Sequence, residues 1–401
     1  METGFCLKRG GSNAELKRSR GAGNTVSRRG PGGTAFHKNL TQKKGSCKMK
    51  TRKKFVSILC AAALLVSALP AAAAEKTETN NASTDFYMQV ESFLQNADVE
   101  YGISKYDNVF LGGEIPAYYV EDETGALQTS SIHYYPIFGD DSVIGLLETY
   151  NDENGNQVFY YSKAHCKTIN NFLKENVPIA VVGNGTSLFV VSNNKTENLT
   201  EAGNTANLPC EYSEVICSSP LNNLHSLNIA AHQQSRAADS YMISGVLRHT
   251  QHETWACWAA CVASYGYFYT EKNYTYTSKV VADKMNWHDY ATMSKVKSAL
   301  KSLYGISHPY YSASNLHTSN LIRYISNDKP IMAGLVKSTN SSAPGHMVII
   351  RGYASNSSFF GLSIMDPAES EYALVSVSTD NPITFPIGAQ VYKLNEYLVN
   401  G

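Results

Sequence analysis

The chain has 401 residues, of which 43% are hydrophobic, and its 34 basic and 34 acidic residues give no net charge. This length allows two domains of ordinary size, and the hydrophobic content excludes a chain that is disordered throughout. The charges are segregated: residues 1–74 carry a net charge of +13, residues 75–237 carry −14 and residues 238–401 carry +1. We therefore expect three segments with different roles.

The first segment contains the pattern of a secretory signal peptide. Basic residues at positions 50–54 precede the apolar run Phe55–Leu69, and three alanines at 72–74 offer a small-residue cleavage site. The apolar run of about fifteen residues is shorter than the roughly 20 residues that cross a bilayer. We therefore predict that residues 49–74 are a signal peptide and that the protein is secreted with no membrane anchor.

Residues 1–48 precede this signal and are rich in Arg, Lys, Gly and Ser. A basic tail of this kind can bind nucleic acid. Because a signal peptide begins a chain, we interpret Met49 as the true start and residues 1–48 as an upstream extension without structure. We accordingly expect no nucleic-acid partner.

Residues 75–237 are predicted to form an α+β domain with a mostly antiparallel sheet and a linker. Alternating apolar residues predict strands, and two further stretches predict helices. The predicted strands are 132–138, 143–150 and 187–192, and the predicted helices are 85–97 and 163–175. The turn residues at 152–155 predict a hairpin. The polar stretch 193–240 is interpreted as the linker, with proteolytic cleavage expected at 233–239.

Five cysteines remain after loss of the leader: Cys166, Cys210, Cys217, Cys257 and Cys261. An odd number in an exported chain leaves at least one thiol unpaired, which makes that thiol a candidate nucleophile. A disulfide between Cys210 and Cys217 is possible, and the sequence leaves the question open.

The stretch from Gln251 to Cys261 has the layout that a thiol nucleophile requires. A helix is predicted from Ala256 to Tyr269, with Glu253 or Thr254 placed to cap it, so Cys257 lies in its first turn. A helix N-terminus together with an imidazolium lowers a thiol pKa from about 8.5 to roughly 3.5–7.5. The Gln251 side chain and the Cys257 backbone N–H could stabilise an oxyanion. Cys261 is expected to be a buried structural thiol, and Cys257 alone could be one too.

His346 is the best candidate for the base. A Pro-Gly turn leads into the apolar strand that His346 begins, and Gly345 leaves room beside it, which we expect a substrate backbone to use. Asp366 follows the next apolar strand, 359–365, so a hairpin would place both residues at one end of the sheet. Asp366 could then orient the imidazole. Asn356 competes for this role but lies in the hairpin turn, and His346 could also be a surface residue.

The order of these groups resembles the papain-like cysteine peptidases, especially the staphopains and the peptidases that process bacteriocin leaders. The likeness covers roughly residues 238–401 and implies an α+β catalytic domain of two subdomains. It implies that Cys257 is the nucleophile, His346 the general base and acid, Asp366 the orienting residue and Gln251 the oxyanion-hole residue. Papain-like peptidases often carry Asn at the last of these positions, whereas the leader-processing branch carries an acid.

The resemblance extends to the middle segment, which is similar to the barrel-like inhibitory propeptides of staphopain-type zymogens. It implies a secreted, monomeric endopeptidase that forms a thioester acyl-enzyme with peptide or protein substrates. Neither a metal nor an organic cofactor is expected. The propeptide, as an intramolecular inhibitor, is expected to cover the cleft until the linker is cleaved.

Two other functions stay open at this point. The same Cys-His-Asp set supports acyl transfer to amines, as in a transglutaminase or an amidase. The last domain could instead be a non-catalytic extracellular binding module that uses a tyrosine-rich surface. The tyrosines concerned are Tyr265, Tyr267, Tyr269, Tyr274, Tyr276, Tyr310 and Tyr311.

Overall fold

The computed structural model describes residues 78–192, 195–200, 215–221, 223–229, 239–313, 316–341, 345–356, 358–377 and 383–401. All of them belong to one compact unit, Ala71–Gly401. Within this part of the chain, no helix combines the length and apolar character that a membrane-spanning helix requires. The upstream extension, the signal peptide, Cys210 and most of the expected cleavage region lie outside the described residues, so those predictions stay predictions.

Residues 78–229 contain two α-helices, a short 3-10 helix at Ile103–Lys105 and ten strands among the described residues. The helices are α1 (Glu78–Tyr101) and α2 (Cys166–Lys174). The strands are β1 (Val109–Leu111), β2 (Ala117–Val120), β3 (Leu127–Thr129), β4 (His133–Gly139), β5 (Ser142–Asn151), β6 (Gln157–Ser162), β7 (Ala180–Asn184), β8 (Ser187–Ser192), β9 (Lys195–Asn198) and β10 (His225–Leu227).

The described part of residues 239–401 adds four helices and eight strands. The helices are α3 (Cys257–Thr270), α4 (Ser278–Met285), α5 (Met293–Tyr304) and α6 (Thr318–Ile325). The strands are β11 (Asp239–Met242), β12 (Tyr310–Ser312), β13 (Ile331–Lys337), β14 (His346–Ser355), β15 (Phe360–Met365), β16 (Tyr372–Val377), β17 (Thr384–Ile387) and β18 (Gln390–Val399).

Local sequence patterns predicted both α-helices and three of the ten described strands in the middle segment. The predicted strands correspond to β4, β5 and β8, and the predicted helices lie at α2 and within α1, which is longer than expected. The hairpin between β5 and β6 is confirmed. Its turn is held by the Asp152 carboxylate, which accepts the N–H groups of Asn154 at 2.8 Å and Asn156 at 2.9 Å. Short polar side chains that bond to nearby backbone are typical of such turns.

The described strands form two sheets. The larger sheet has the order β10-β1-β4-β5-β6-β16-β15-β14-β13-β18-β12, with β11 added on β14 and β17 on β18. The smaller sheet has the order β3-β2-β7-β8-β9, in which β2 and β7 run parallel. This combination of helices with mainly antiparallel sheets is compatible with the predicted α+β class. The papain-like division into two subdomains stays a prediction.

The larger sheet joins the middle segment directly to the C-terminal segment. Strand β6 pairs with β16, with Tyr160 opposite Val375 and Ser162 opposite Ala373. The two segments therefore share one hydrogen-bonded sheet. The domain boundary expected between residues 237 and 238 stays a prediction.

Apolar side chains cover both faces of this sheet. On one face, Phe93 and Leu94 of α1 pack in a cluster with Phe159 of β6 and Leu374 of β16. The main core contains α3, in which all residues from Cys257 to Gly266 are buried. Because helix α3 is embedded over this length, its N-terminus is fixed within the fold.

The close contact between the β7–β8 hairpin and the β17–β18 hairpin gives a stability prediction. A Cβ atom added at Gly183 would overlap the backbone carbonyl oxygen of Gly388. Because backbone cannot swing aside as a side chain can, we expect Gly183→Ala to lower the free energy of unfolding by about 1–3 kcal/mol. Urea denaturation measures the change. Gly361→Ala is the matched control, since its Cβ would first meet the Leu374 side chain at 3.4 Å. Equal stability of the two variants would contradict the contact.

Candidate active site

Cys257 is the first residue of α3 and is 4% exposed. The first N–H groups of a helix have no partner within the helix and carry partial positive charge, which favours a thiolate nearby. The expected cap by Glu253 or Thr254 is wrong, because Ala256 occupies the N-cap position without a side-chain hydrogen bond. The helix N-terminus is therefore not neutralised by an acidic cap.

His346 and Asp366 meet at one end of two adjacent strands. Strands β14 and β15 are antiparallel, and Ile349 pairs with Met365. His346 precedes Ile349 and Asp366 follows Met365, so both residues lie at the same end of the two strands. His346 Nε2 lies 2.7 Å from Asp366 Oδ1, and both side chains are buried. The Ala368 backbone N–H donates to the same oxygen at 2.8 Å. These bonds fix the ring plane and the carboxylate together.

The surroundings of His346 favour its protonated form. Burial lowers the pKa of His346, but the Asp366 carboxylate and the Cys257 thiol oppose this effect and raise the pKa from its usual 6.5 to about 10. The other ring nitrogen, Nδ1, is buried and has no hydrogen-bond partner among the described nitrogen and oxygen atoms. The ring is therefore an imidazolium at neutral pH, the partner that a reactive thiolate requires.

Gln251 is tied to the same corner through its backbone. Its N–H donates to the Pro367 carbonyl oxygen at 2.8 Å, next to Asp366. Its side-chain Nε2 donates to Thr186 Oγ1 at 3.2 Å, and its Oε1 is buried without a partner among the described residues. The Gln251 amide therefore contacts the middle segment. The sequence analysis missed Thr186, because its position in a glycine-rich turn carried no sign of this long-range contact.

Cys257 and His346 open onto a cleft of about 710 Å³. Apolar side chains such as Trp258 and Met293 line part of it, and Lys297 and Glu396 line another part. The lining mixes apolar with polar and charged side chains, which suits a peptide because a peptide carries both apolar side chains and a polar backbone. None of the described residues in 75–237 lines this cleft, and the expectation that the propeptide covers it stays a prediction.

Cys261 lies one turn after Cys257 and is fully buried against β14. Its thiol donates to the Met347 carbonyl oxygen at 3.4 Å. Burial raises the pKa of the Cys261 thiol strongly, and the charges of Cys257 and Asp366 add to the effect. The thiol therefore stays protonated and packs α3 against the sheet, as the sequence analysis expected of a structural cysteine.

The competing polar residues are engaged elsewhere. His252 Nδ1 lies 3.0 Å from Ser278 Oγ, and His288 lies near Asp283 on the surface. The Asn356 side chain accepts two backbone N–H groups within its own turn. The structure therefore does not bring these three residues to Cys257.

Two local expectations have different outcomes. A Cβ at Gly345 would overlap the Leu335 carbonyl oxygen of β13, so this glycine allows the strands to approach each other. Gly345 also lines the cleft, and its use by a substrate backbone stays a prediction. The tyrosine-rich surface is also smaller than predicted, because Tyr265 is fully buried while Tyr274, Tyr310 and Tyr311 are exposed.

A buried polar cluster lies close to Asp366, at the junction of the two segments. Glu369 accepts hydrogen bonds from Tyr160 at 2.9 Å and from Ser162, and His165 Nε2 lies 3.5 Å from Glu369. Glu148, His165 and Glu369 bring ligand atoms within 4.8 Å of one another and could hold a metal ion. Burial and the Glu369 charge raise the pKa of Glu148, so a neutral carboxyl group also accounts for the cluster.

The comparison with known families concerns the C-terminal segment. Residues 243–382 match the model of the Peptidase_C39 like family. This segment is similar to the C39-type peptidases. The match supports a cysteine peptidase of the papain-like or C39 type, and it contains all four predicted site residues. No curated protein matches the chain. The staphopain branch and the individual roles of Gln251, Cys257, His346 and Asp366 stay predictions.

The hydrogen bond between His346 and Asp366 gives a prediction about pH. A histidine is protonated below its pKa, and the Asp366 carboxylate is a cause that raises the pKa of His346. We expect Asp366→Asn to move the loss of the His346 proton from about pH 10 to a lower pH. A shift of at least about one unit is expected for loss of a neighbouring opposite charge.

NMR titration of the imidazole resonances in histidine-labelled protein measures this shift. Asp141→Asn, in the exposed turn between β4 and β5, is the control and should titrate like the parent. If His346 loses its proton at the same pH in Asp366→Asn and in the parent, a group other than Asp366 must raise the pKa of His346.

Proposed function

We propose that the protein is a secreted cysteine endopeptidase made as a zymogen, in which Cys257, His346 and Asp366 hydrolyse peptide bonds. The buried His346–Asp366 hydrogen bond beside a helix-terminal thiol carries this proposal. The Peptidase_C39 like match over residues 243–382 supports the peptidase class. The apolar run at 55–69 and the small residues at 72–74 support export.

Acylation would begin from the thiolate–imidazolium pair. The Cys257 sulfur attacks the scissile carbonyl carbon, a C–S bond forms and the carbonyl electrons move onto oxygen. The Cys257 backbone N–H and the Gln251 side chain are the donors for this oxyanion. His346 then gives its proton to the leaving amine as the C–N bond breaks, which leaves a thioester.

Deacylation uses the neutral imidazole that results. His346 takes a proton from water, the hydroxide oxygen adds to the thioester carbon, and the C–S bond breaks to release the acid. The Asp366 carboxylate stabilises the imidazolium that forms again and keeps Nε2 turned away from the thiol. This arrangement leaves Nδ1 as the nitrogen that exchanges the proton with Cys257 and the substrate.

The substrate is proposed to be a peptide or protein chain that extends along the cleft. The protein is proposed to act as a monomer outside the cell, without nucleic-acid or membrane partners. Residues 75–237 are proposed to be the inhibitory propeptide. The linker region at 233–239 is the proposed cleavage site, for which its polar composition is the support.

Thiol labelling tests the proposed nucleophile. We expect an epoxide thiol inhibitor to label the processed protein at one cysteine, detected by mass spectrometry. Cys257→Ala should abolish labelling, whereas Cys261→Ala, the matched control one helical turn away, should leave it intact. Absence of labelling in the parent would contradict the peptidase proposal.

A product assay with the same variants separates hydrolysis from acyl transfer. A peptide substrate is incubated with an excess of a primary amine, and the products are identified by mass. We expect free carboxylic acid as the main product. An amine adduct as the main product would identify a transglutaminase-type enzyme instead.

A further inference from the structure

Resting on the proposed function, we propose that residues 75–237 restrain the peptidase by withholding its oxyanion donor. In this arrangement the Thr186 hydroxyl accepts a hydrogen bond from Gln251 Nε2 and holds the amide toward the middle segment and away from the substrate. The restraint acts at the oxyanion hole, and none of the described residues of 75–237 enters the cleft.

The open cleft is the first observation. Cys257 and His346 both line the cleft of about 710 Å³, but none of the described residues of 75–237 does so. A propeptide that inhibits by filling the cleft would place its own side chains there. Among the described contacts of the middle segment are ones beside Gln251 and Asp366.

The orientation of the Gln251 amide is the second observation. Gln251 is 1% exposed and Thr186 is 4% exposed, so water does not compete for their hydrogen bond. One of the two N–H groups of Nε2 is donated to Thr186, and the unpartnered atom is Oε1. An oxyanion is stabilised by N–H donors and repelled by a carbonyl oxygen. Gln251 is not among the residues that line the cleft, so an amide held against Thr186 does not present its second N–H to a transition state there.

The position of Thr186 is set by the hairpin contact. Thr186 directly follows Gly185, which has a φ of +61° in the turn between β7 and β8. Backbone atoms of Gly185 and Thr186 pack against Gly388. Nearby, Ser130 Oγ donates to the Ala389 carbonyl oxygen at 2.7 Å. Thr186 is therefore held by middle-segment backbone, and Gln251 is freed when that segment moves away.

This restraint makes a distinctive kinetic prediction. Loss of one oxyanion-hole donor typically lowers kcat by about 10²–10³-fold. The pair formed by Cys257 and His346 does not involve Thr186, so the thiol of the unprocessed protein stays reactive. Alkylation of Cys257 by iodoacetamide forms no oxyanion. Its rate therefore depends on the Cys257 thiolate and does not depend on the Gln251 N–H donor.

The experiment uses the unprocessed protein that starts after the signal peptide, with initial rates taken while it stays intact on a gel. Thr186→Val removes the hydroxyl at nearly constant volume, and Thr186→Ser keeps it. Thr384→Val is the matched control, because it removes another buried threonine hydroxyl that bonds across the segments, to Tyr150 at 3.0 Å. Peptide hydrolysis and the iodoacetamide alkylation rate of Cys257 are measured for each variant.

We expect Thr186→Val to raise kcat of the unprocessed protein at least about 10-fold, towards the 10²–10³-fold that one donor is worth. Its alkylation rate should equal that of the parent. Thr186→Ser and Thr384→Val should behave like the parent in both assays. Thr186→Ala is made as a second variant in case the valine does not fold, with an unchanged alkylation rate showing that the site is intact.

Two results would overturn the proposal. Unchanged hydrolysis in Thr186→Val would show that the hydrogen bond does not restrain the enzyme. A decrease in kcat with unchanged alkylation would show that Thr186 instead donates to Oε1 and holds Gln251 in a productive orientation. Failure of the proposed function looks different, since processed protein would then show neither hydrolysis nor alkylation at Cys257.

Discussion

The buried pair of His346 and Asp366 is the constraint on which the rest of the site depends. A charge removed from water is tolerated only when it is paired and hydrogen-bonded. Here the pairing of β14 with β15 brings the two side chains together, and the Ala368 N–H supplies a further donor to Asp366. The bond from the Gln251 N–H to the Pro367 carbonyl then attaches the chain that leads into α3. Backbone hydrogen bonds therefore position Cys257 relative to the pair.

The parts of the site that the sequence could predict are those set by local pattern. Strands β14 and β15 are continuous apolar runs and helix α3 begins an alanine-rich apolar run, so His346, Asp366 and Cys257 could be placed on them before any coordinates. Thr186 and Glu369 could not be found in this way. Each meets its partner through packing between segments that are distant in the chain, and a partner of this kind leaves no periodic signal.

The charged residues give a second example of long-range contacts that the sequence could not predict. The net −14 of residues 75–237 against the +1 of residues 238–401 indicated no general attraction between the segments. The structure shows individual ion pairs across them instead, Glu100 with Arg351 and Asp122 with Lys337. Lys337 and Arg351 are buried, so each would be costly to leave without its acid. The middle segment therefore satisfies charges that the C-terminal segment cannot satisfy alone.

The pairing of β6 with β16 has a consequence for the proposed cleavage between the segments. Cutting the chain there would leave this strand pairing in place, so cleavage alone would not separate the parts. Physical separation would expose the backbone N–H and C=O groups of Ala373 to Val375 along an open edge. Such edges recruit other strands, either from a second molecule or from an extended peptide. Residues 75–237 thus also protect the C-terminal segment against edge-to-edge aggregation.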